Sequence, residues 1–191
     1  LQINPHFLFN TLNSAASLVG ARRNAEAEEL IVRLSEFFRG TLEETANGQT
    51  SLSQEFEMLS AYLDIEAVRF GDRLVASMSM SDEVGDARTP AFLTQPLVEN
   101  AIKHGVAPSK SPIRLEVSAL RERDDLIIRV WNEAPNPVRV CEAMGAGVGL
   151  ANVQSRLTAL YGDRGLLRAS YRHDGFLAEV RLPLSHSGGA G

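Results

Sequence analysis

Several features that mark particular classes of protein are scarce or missing in this sequence. Cysteine occurs once, at Cys141, so no disulfide can form within the chain, and a reducing cytoplasm fits. The four histidines are scattered, and no Cys/His cluster predicts a zinc site. A net charge of −5 argues against a nucleic-acid-binding protein, which would present a basic face. No apolar run reaches the roughly 18 residues of a membrane span, and no signal-peptide pattern is present.

The composition is that of an ordinary soluble globular protein. The 191 residues are 44% hydrophobic and 23% charged, which suits one medium domain with an appendage. The sequence starts at Leu1, inside a helical pattern and without an initiator methionine, so we expect a natural N-terminal region before it. Residues 185–191 are mostly glycine and serine, and we expect a disordered tail there.

Residues 1–71 have the periodicity of helices joined by short loops. The first helix ends at Gly20 and carries an apolar and a polar stripe. The apolar stripe consists of Leu8, Leu12, Ala15 and Val19, and the polar stripe of His6, Asn10, Asn13 and Ser17. A second helix carries Leu30, Leu34, Phe37 and Phe38. A third helix, ending at Gly71, repeats the apolar pattern at Phe56, Leu59, Leu63, Ala67 and Phe70. Such stripes need a partner surface, so we predict a homodimer built on the first and third helices.

From Leu74 onward the pattern changes to the two-residue period of β-strands. Strands are predicted at about 74–80, 113–119, 126–130, 167–171 and 176–182, and the last four form two hairpins. Helices are predicted at about 92–104 and 150–161. Antiparallel strands with helices on one face indicate an α+β sandwich.

The helix predicted at 92–104 carries residues suited to a metal–phosphate site. The amide oxygen of Asn100 is a possible Mg²⁺ ligand, and the metal would bridge phosphate oxygens. Lys103 and His104 lie one turn further on, share the face of Asn100, and could donate to phosphate. The alternative is a solvated helix face on which Glu99 pairs with Lys103.

A glycine cluster precedes the last predicted helix. Gly145, Gly147 and Gly149 would direct backbone amides and a helix N-terminus at one point, which is a physical site for an anion. The spacing fits neither a Rossmann fingerprint nor a Walker loop. Taken alone, the cluster is equally compatible with a flexible loop that enters a helix.

His6 is ambiguous on chemical grounds alone. A histidine on a polar helical stripe is more often a surface or interface residue than a nucleophile. Pro5 suggests that His6 lies in the first helical turn, where its ring can be exposed. Neutral imidazole is available near pH 7, so attack on a γ-phosphate is chemically possible.

These motifs occur together and in order, and together they resemble the LytS/YehU-type sensor histidine kinases. Residues 1–19 resemble the histidine box of that family, and residues 95–105 resemble its N box. The histidine-box matches are Gln2, Asn4, Pro5, His6, Phe7, Leu8, Phe9, Asn10, Leu12 and Asn13. Residues 145–150 are similar to the second glycine box, and the pairs Tyr62-Leu63 and Arg69-Phe70 to the segment after the histidine box.

The resemblance implies a division of the chain and a role for each motif. Residues 1–71 would be a helical histidine-box and dimerisation segment, and 72–184 a GHKL (Bergerat-type) ATP-binding domain with a mixed, largely antiparallel sheet. Residues 185–191 would form the tail. His6 would be the phosphoacceptor and Asn100 the Mg²⁺ ligand. The ATP site would include Asn100, Lys103, His104, Asn132, Gly145, Gly147, Gly149 and Leu150.

The resemblance also implies a reaction and its partners. ATP would phosphorylate His6, and the phosphoryl group would pass to an aspartate of a cognate response regulator. A sensory, membrane-anchored region would lie upstream. This segment would then be cytoplasmic, and the full-length protein would be at the inner membrane.

The sequence departs from the family pattern at two places. Asn132 stands where many relatives have the aspartate that accepts a hydrogen bond from the adenine amino group, and a neutral acceptor binds more weakly. Phe7, rather than an acid, follows His6, so no neighbouring carboxylate can act as a base. Two alternatives therefore stay open, a degenerate kinase that acts as a nucleotide-binding or dimerisation module, and a GHKL ATPase of the gyrase or chaperone sort.

Overall fold

Helices form the first part of the chain, and a β-sheet with covering helices forms the rest. The computed structural model describes residues 5–45, 48–134 and 148–185. The helices are α1 (Pro5–Gly20), α2 (Asn24–Thr45), α3 (Leu52–Phe70), α4 (Gln95–Ala101) and α5 (Val148–Tyr161). A π-helical turn, Ile102–Val106, continues α4. The strands are β1 (Gln49–Ser51), β2 (Leu74–Met80), β3 (Arg88–Pro90), β4 (Ile113–Glu122), β5 (Asp125–Glu133), β6 (Leu166–Tyr171) and β7 (Gly175–Pro183).

The main sheet has five strands in the order β2-β4-β5-β7-β6. Only the β2–β4 pair of this sheet is parallel, because the chain crosses over through α4 between these strands. The predicted mixed, largely antiparallel sheet and both hairpins are confirmed. A separate antiparallel ribbon pairs β1 with β3, and the sequence pattern did not predict it.

The core lies between one face of this sheet and the helices α4 and α5. Alternate residues of the central strands point into it, and each is almost completely buried. They are Leu115, Val117, Ala119, Ile128, Val130, Ala178 and Val180. From α4 and α5 the core receives Leu97, Val98, Val153 and Leu157. The predicted α+β class is therefore confirmed.

The first three helices pack together through an aromatic cluster. The Phe7 ring of α1 lies 5.5 Å from that of Phe37 on α2 and 4.9 Å from that of Tyr62 on α3, measured between centroids. Helix α3 also contacts β1 and β2, so its packing joins the helical segment to the sandwich. A domain boundary at residue 71 stays a prediction.

Both ends of α3 follow from local sequence. The Ser51 side chain accepts a hydrogen bond from the backbone amide of Gln54 in a capping box, which satisfies amides that a helix N-terminus leaves free. Gly71 ends the helix with φ of 54°, a conformation that a side chain would disfavour. The sequence pattern predicted the stop at Gly71.

The apolar stripe predicted for α1 is wrong in part. The buried face consists of Phe7, Thr11, Ala15 and Leu18. Leu12 and Val19 are 46% and 55% exposed. The α1 helix is apolar on two faces, and helical period alone does not decide which face enters the core. On α3, Phe56, Leu59, Leu63 and Phe70 are buried as predicted, whereas Ala67 is exposed.

The helix predicted from residue 92 begins instead at Gln95. Phe92 has φ of 59°, in the left-handed region that interrupts a helix. The last predicted helix begins at Val148 instead of 150. In the part of the chain that the structure describes, no helix is long and apolar enough to cross a bilayer. The predicted disorder of the tail falls, from residue 186 onward, outside the described residues.

Candidate functional site

A cavity of about 310 Å³ lies where α1, α3, the α4–π segment and the start of α5 meet. Its lining mixes apolar residues with acids, bases and one amide. The lining residues are Phe7, Tyr62, Glu66, Arg69, Pro96, Glu99, Asn100, Ile102, Lys103, His104, Ala107, Gly149 and Leu150. The cavity therefore includes five residues predicted for the ATP site, namely Asn100, Lys103, His104, Gly149 and Leu150.

The α4–π segment presents Asn100, Lys103 and His104 on one side of the cavity. Asn100 is half-buried, and the two basic residues are exposed. Partial burial and the charge of Lys103 lower the pKa of His104, so its neutral form predominates at neutral pH. Two hydrogen-bond donors and an amide oxygen thus share one surface.

The N-terminus of α5 forms another side of the cavity. Gly149 and Leu150 lie in its first turn, where backbone amides lack helical partners and the helix dipole is positive. Phosphate is an anion that such an end favours. A Cβ at Gly149 would meet the Cβ of Pro96 at 4.0 Å, so α5 and α4 approach closely here. Gly145 and Gly147 lie outside the described residues.

Asn132 does not line this cavity. Its side chain is 3% exposed, and its Nδ2 donates a hydrogen bond to the carbonyl of Glu133 at 3.1 Å. The same amide packs against Gly105 of the π-helical turn so closely that a Cβ there would collide with it. In this structure Asn132 therefore packs against the π-helical turn that lines the cavity. Its proposed contact with adenine stays a prediction.

His6 lies in the first turn of α1. Its neighbour Phe7 is 4% exposed and contributes its ring to the cavity. Consecutive Cα atoms are 3.8 Å apart, so the His6 backbone lies at the edge of the cavity. The helical packing thus brings the histidine box and the N box together, although about ninety residues separate them in sequence.

Sequence reasoning missed the acid and the phenol that α3 places in the cavity. Glu66 is 4% exposed, and its carboxylate accepts hydrogen bonds from the Tyr62 hydroxyl at 3.3 Å and from Arg69 at 3.4 Å. Burial raises the pKa of Glu66, and burial together with Glu66 raises the pKa of Tyr62. The available signal was the i, i+4, i+7 spacing of Tyr62, Glu66 and Arg69, which places a charged pair on the buried side of an amphipathic helix.

A second buried acid on α3 positions the start of α4. The Glu55 carboxylate accepts hydrogen bonds from the backbone amides of Phe92 at 2.8 Å and Thr94 at 2.7 Å. These amides belong to the segment immediately before Gln95, where α4 begins. Glu55 therefore holds the loop that orients the Asn100 helix.

The charges around the cavity suit a metal-bound polyphosphate. Arg69, Lys103 and His104 provide donors, whereas Glu66 and Glu99 provide acceptors. In residues 5–45, 48–134 and 148–185 no group of three or more His, Cys, Asp or Glu could hold a metal ion. A divalent cation here would need oxygens of the ligand in addition to Asn100, which is the usual situation for Mg²⁺ with phosphates.

Comparison with known proteins identifies similar sequences. The sequence profile of the histidine kinase family matches residues 1–74. The chain is 40% identical to the sensor histidine kinase BtsS of Escherichia coli K12 over 184 residues, 95% of this chain and 32% of BtsS. It is 32% identical to the sensor protein LytS of Staphylococcus epidermidis over 197 residues, 97% of this chain and 33% of LytS. The chain thus spans about a third of the length of these relatives.

Solved structures share the fold at low sequence identity. The catalytic domain of histidine kinase ThkA superposes with a TM-score of 0.55 at 16% identity, covering 71% of this chain and 94% of that one. Histidine kinase AdeS of Acinetobacter baumannii gives 0.53 at 13% identity and covers 94% of this chain and 96% of its own. ThkA in complex with the response regulator protein TrrA gives 0.50 at 12% identity, covering 95% of this chain and 60% of that one.

Proposed function

Because this chain belongs to the histidine kinase family, in which LytS and BtsS are relatives, we propose that it is an ATP-dependent protein histidine kinase core. In this proposal His6 attacks the γ-phosphate of ATP, and the phosphoryl group then passes to an aspartate of a response regulator. The observation that supports it is the shared cavity, because Phe7, the residue after His6, lines it together with Asn100, Lys103 and the start of α5.

Each residue has a physical role in this proposal. The α5 amides near Gly149 and the Lys103 ammonium bind phosphate oxygens and neutralise their charge. Asn100 would give its amide oxygen to Mg²⁺, and the cation would neutralise charge on the transferred phosphoryl group. Phosphoryl transfer depends mostly on positioning and electrostatics, so residues that hold the reactants in line account for most of the catalysis.

The proposal extends to the assembly. A response regulator is its expected partner, as in the solved complex of ThkA with TrrA. A homodimer is supported by Phe9, Leu12 and Val19, which leave 46–65% of their surfaces exposed along α1. We further propose that this segment functions in the cytoplasm as part of a longer protein with a membrane-anchored sensory region.

Incubation with γ-labelled ATP and Mg²⁺ separates this function from the two alternatives. A kinase retains acid-labile label on the protein. A degenerate module binds nucleotide and retains no label, and a GHKL ATPase releases free phosphate without labelling itself. Asn100→Ala should lose Mg²⁺-dependent nucleotide binding while its circular dichroism spectrum stays that of the wild type. Unchanged affinity and rate in that variant would remove Asn100 from the site.

A further inference from the structure

The proposed reaction leaves one proton without an acceptor. When one ring nitrogen of a neutral imidazole attacks phosphorus, the other nitrogen still carries a hydrogen, and the ring becomes cationic. The chain offers no acid at the position after His6, because that position is Phe7. A carboxylate that takes this proton must therefore come from another element of the fold.

Two carboxylates line the cavity among the described residues, and their positions differ. Glu99 lies beside Asn100 on α4 and accepts a hydrogen bond from Gln95 at 2.8 Å. Glu66 lies on α3, where its hydrogen-bond partner Tyr62 packs against the Phe7 ring at a tilt, with 4.9 Å between the ring centroids. Glu66 is thus linked to the histidine box through Tyr62.

A second contact supports the same placement. The polar stripe of α1 borders a groove on α3 that Asn10 and Arg69 share. Arg69 also lines the nucleotide cavity and donates a hydrogen bond to Glu66. The backbone of His6 lies one helical turn before Asn10, the residue that shares this groove with Arg69.

We propose that the Glu66 carboxylate is the base that takes the proton of the His6 ring during phosphorylation. This inference rests on the proposed function. The bond that forms joins a His6 ring nitrogen to the γ-phosphorus, and the bond that breaks joins this phosphorus to the bridging oxygen of ADP. The proton on the other ring nitrogen passes to Glu66, so phosphohistidine is neutral at the ring and ADP leaves with the bridging oxygen.

The surroundings of Glu66 favour proton transfer. Its two hydrogen bonds, at 3.3 Å and 3.4 Å, are long and therefore weak. The groups that act on its charge are Tyr62 and Arg69 on α3 and Glu99 on α4, and Lys103 and His104 line the same cavity. Burial brings the pKa of Glu66 closer to that of imidazole, which improves a carboxylate as a base near neutral pH.

The test compares Glu66→Gln with the wild type in a single-turnover labelling experiment across pH. Glutamine keeps the shape and an acceptor oxygen, and it cannot take a proton. We expect the labelling rate to fall about 10²–10⁴-fold, with ADP affinity and thermal stability retained, and its pH dependence to change. Glu66→Asp should recover part of the rate, and Glu57→Gln, an exposed change on the same helix, should label at the wild-type rate.

Three results would overturn the inference. Glu66→Gln could label within a few fold of the wild-type rate with an unchanged pH profile. It could also lose ADP binding or folded structure in parallel with the rate, which would show a structural role. A wild-type chain that binds ADP and never retains label would reject the proposed function, and this inference with it.

Discussion

Replacing Glu55 by alanine should loosen the loop that positions the Asn100 helix. The carboxylate is 4% exposed and satisfies the amides of Phe92 and Thr94, at 2.8 Å and 2.7 Å. The amide of Thr94 is buried and that of Phe92 is half-buried, so the variant leaves one buried donor and one partly shielded donor without their partner. Each unsatisfied buried donor costs about 1–3 kcal/mol. The slightly better helix propensity of alanine offsets a few tenths of a kcal/mol at most.

The net expectation for Glu55→Ala is a loss of about 1–4 kcal/mol in the free energy of unfolding, because the full cost applies to the Thr94 amide and a smaller one to the half-buried Phe92 amide. That is a large part of the 5–15 kcal/mol typical of a folded domain. The strained conformation of Phe92, with φ of 59°, adds to the tendency of the loop to rearrange once its anchor is gone. We therefore expect Glu55→Ala to weaken nucleotide binding although Glu55 does not line the cavity.

Urea denaturation followed by circular dichroism measures the loss, and hydrogen exchange at the amides of Phe92 and Thr94 locates it. Glu57→Ala is the matched control, because it removes an exposed carboxylate two residues further along the same helix. An unfolding free energy of Glu55→Ala within about 0.5 kcal/mol of the control value would refute the reasoning, because an ordinary surface substitution has an effect of that size.

Three further changes test other contacts. Gly105→Ala should destabilise the protein by about 1–3 kcal/mol in urea, and less when Asn132 is also alanine, because the new Cβ collides with the Asn132 amide. Burial raises the pKa of Glu66 in the folded protein, so its protonated form stabilises the fold below about pH 4.5, and this stabilisation is lost as pH rises through the folded pKa. Glu66→Gln should therefore flatten this part of the plot of unfolding free energy against pH. Replacing the exposed Leu12 and Val19 by serine should shift light scattering from dimer toward monomer with the helical content retained; an unchanged dimer would contradict the assignment of that face.

Local patterns predicted the elements whose boundaries depend on neighbouring residues. The strands of the main sheet and the glycine stop of α3 follow from two-residue alternation and from a single residue type. Asn100, Lys103 and His104 also line one cavity in the structure, because residues three and four positions apart stay neighbours through the π-helical turn.

The features that sequence reasoning missed depend on contacts between distant segments. The start of α4 at Gln95 is set by Glu55, about forty residues earlier, and no local pattern contains that bond. The importance of Glu66 appears only when α1 packs on α3 and brings Phe7 against Tyr62. The choice between Leu12 and Leu18 as core residues of α1 also depends on where α2 and α3 lie.

The most direct test of the central claim is the site of phosphate attachment after reaction with labelled ATP. The protein is digested under alkaline conditions, which preserve phosphohistidine, and the peptides are sequenced by mass spectrometry. The account predicts phosphate on His6, none in His6→Gln, and nearly unchanged ATP binding in that variant. Acid-labile phosphate retained at the wild-type level in His6→Gln, or found on His104, would contradict it.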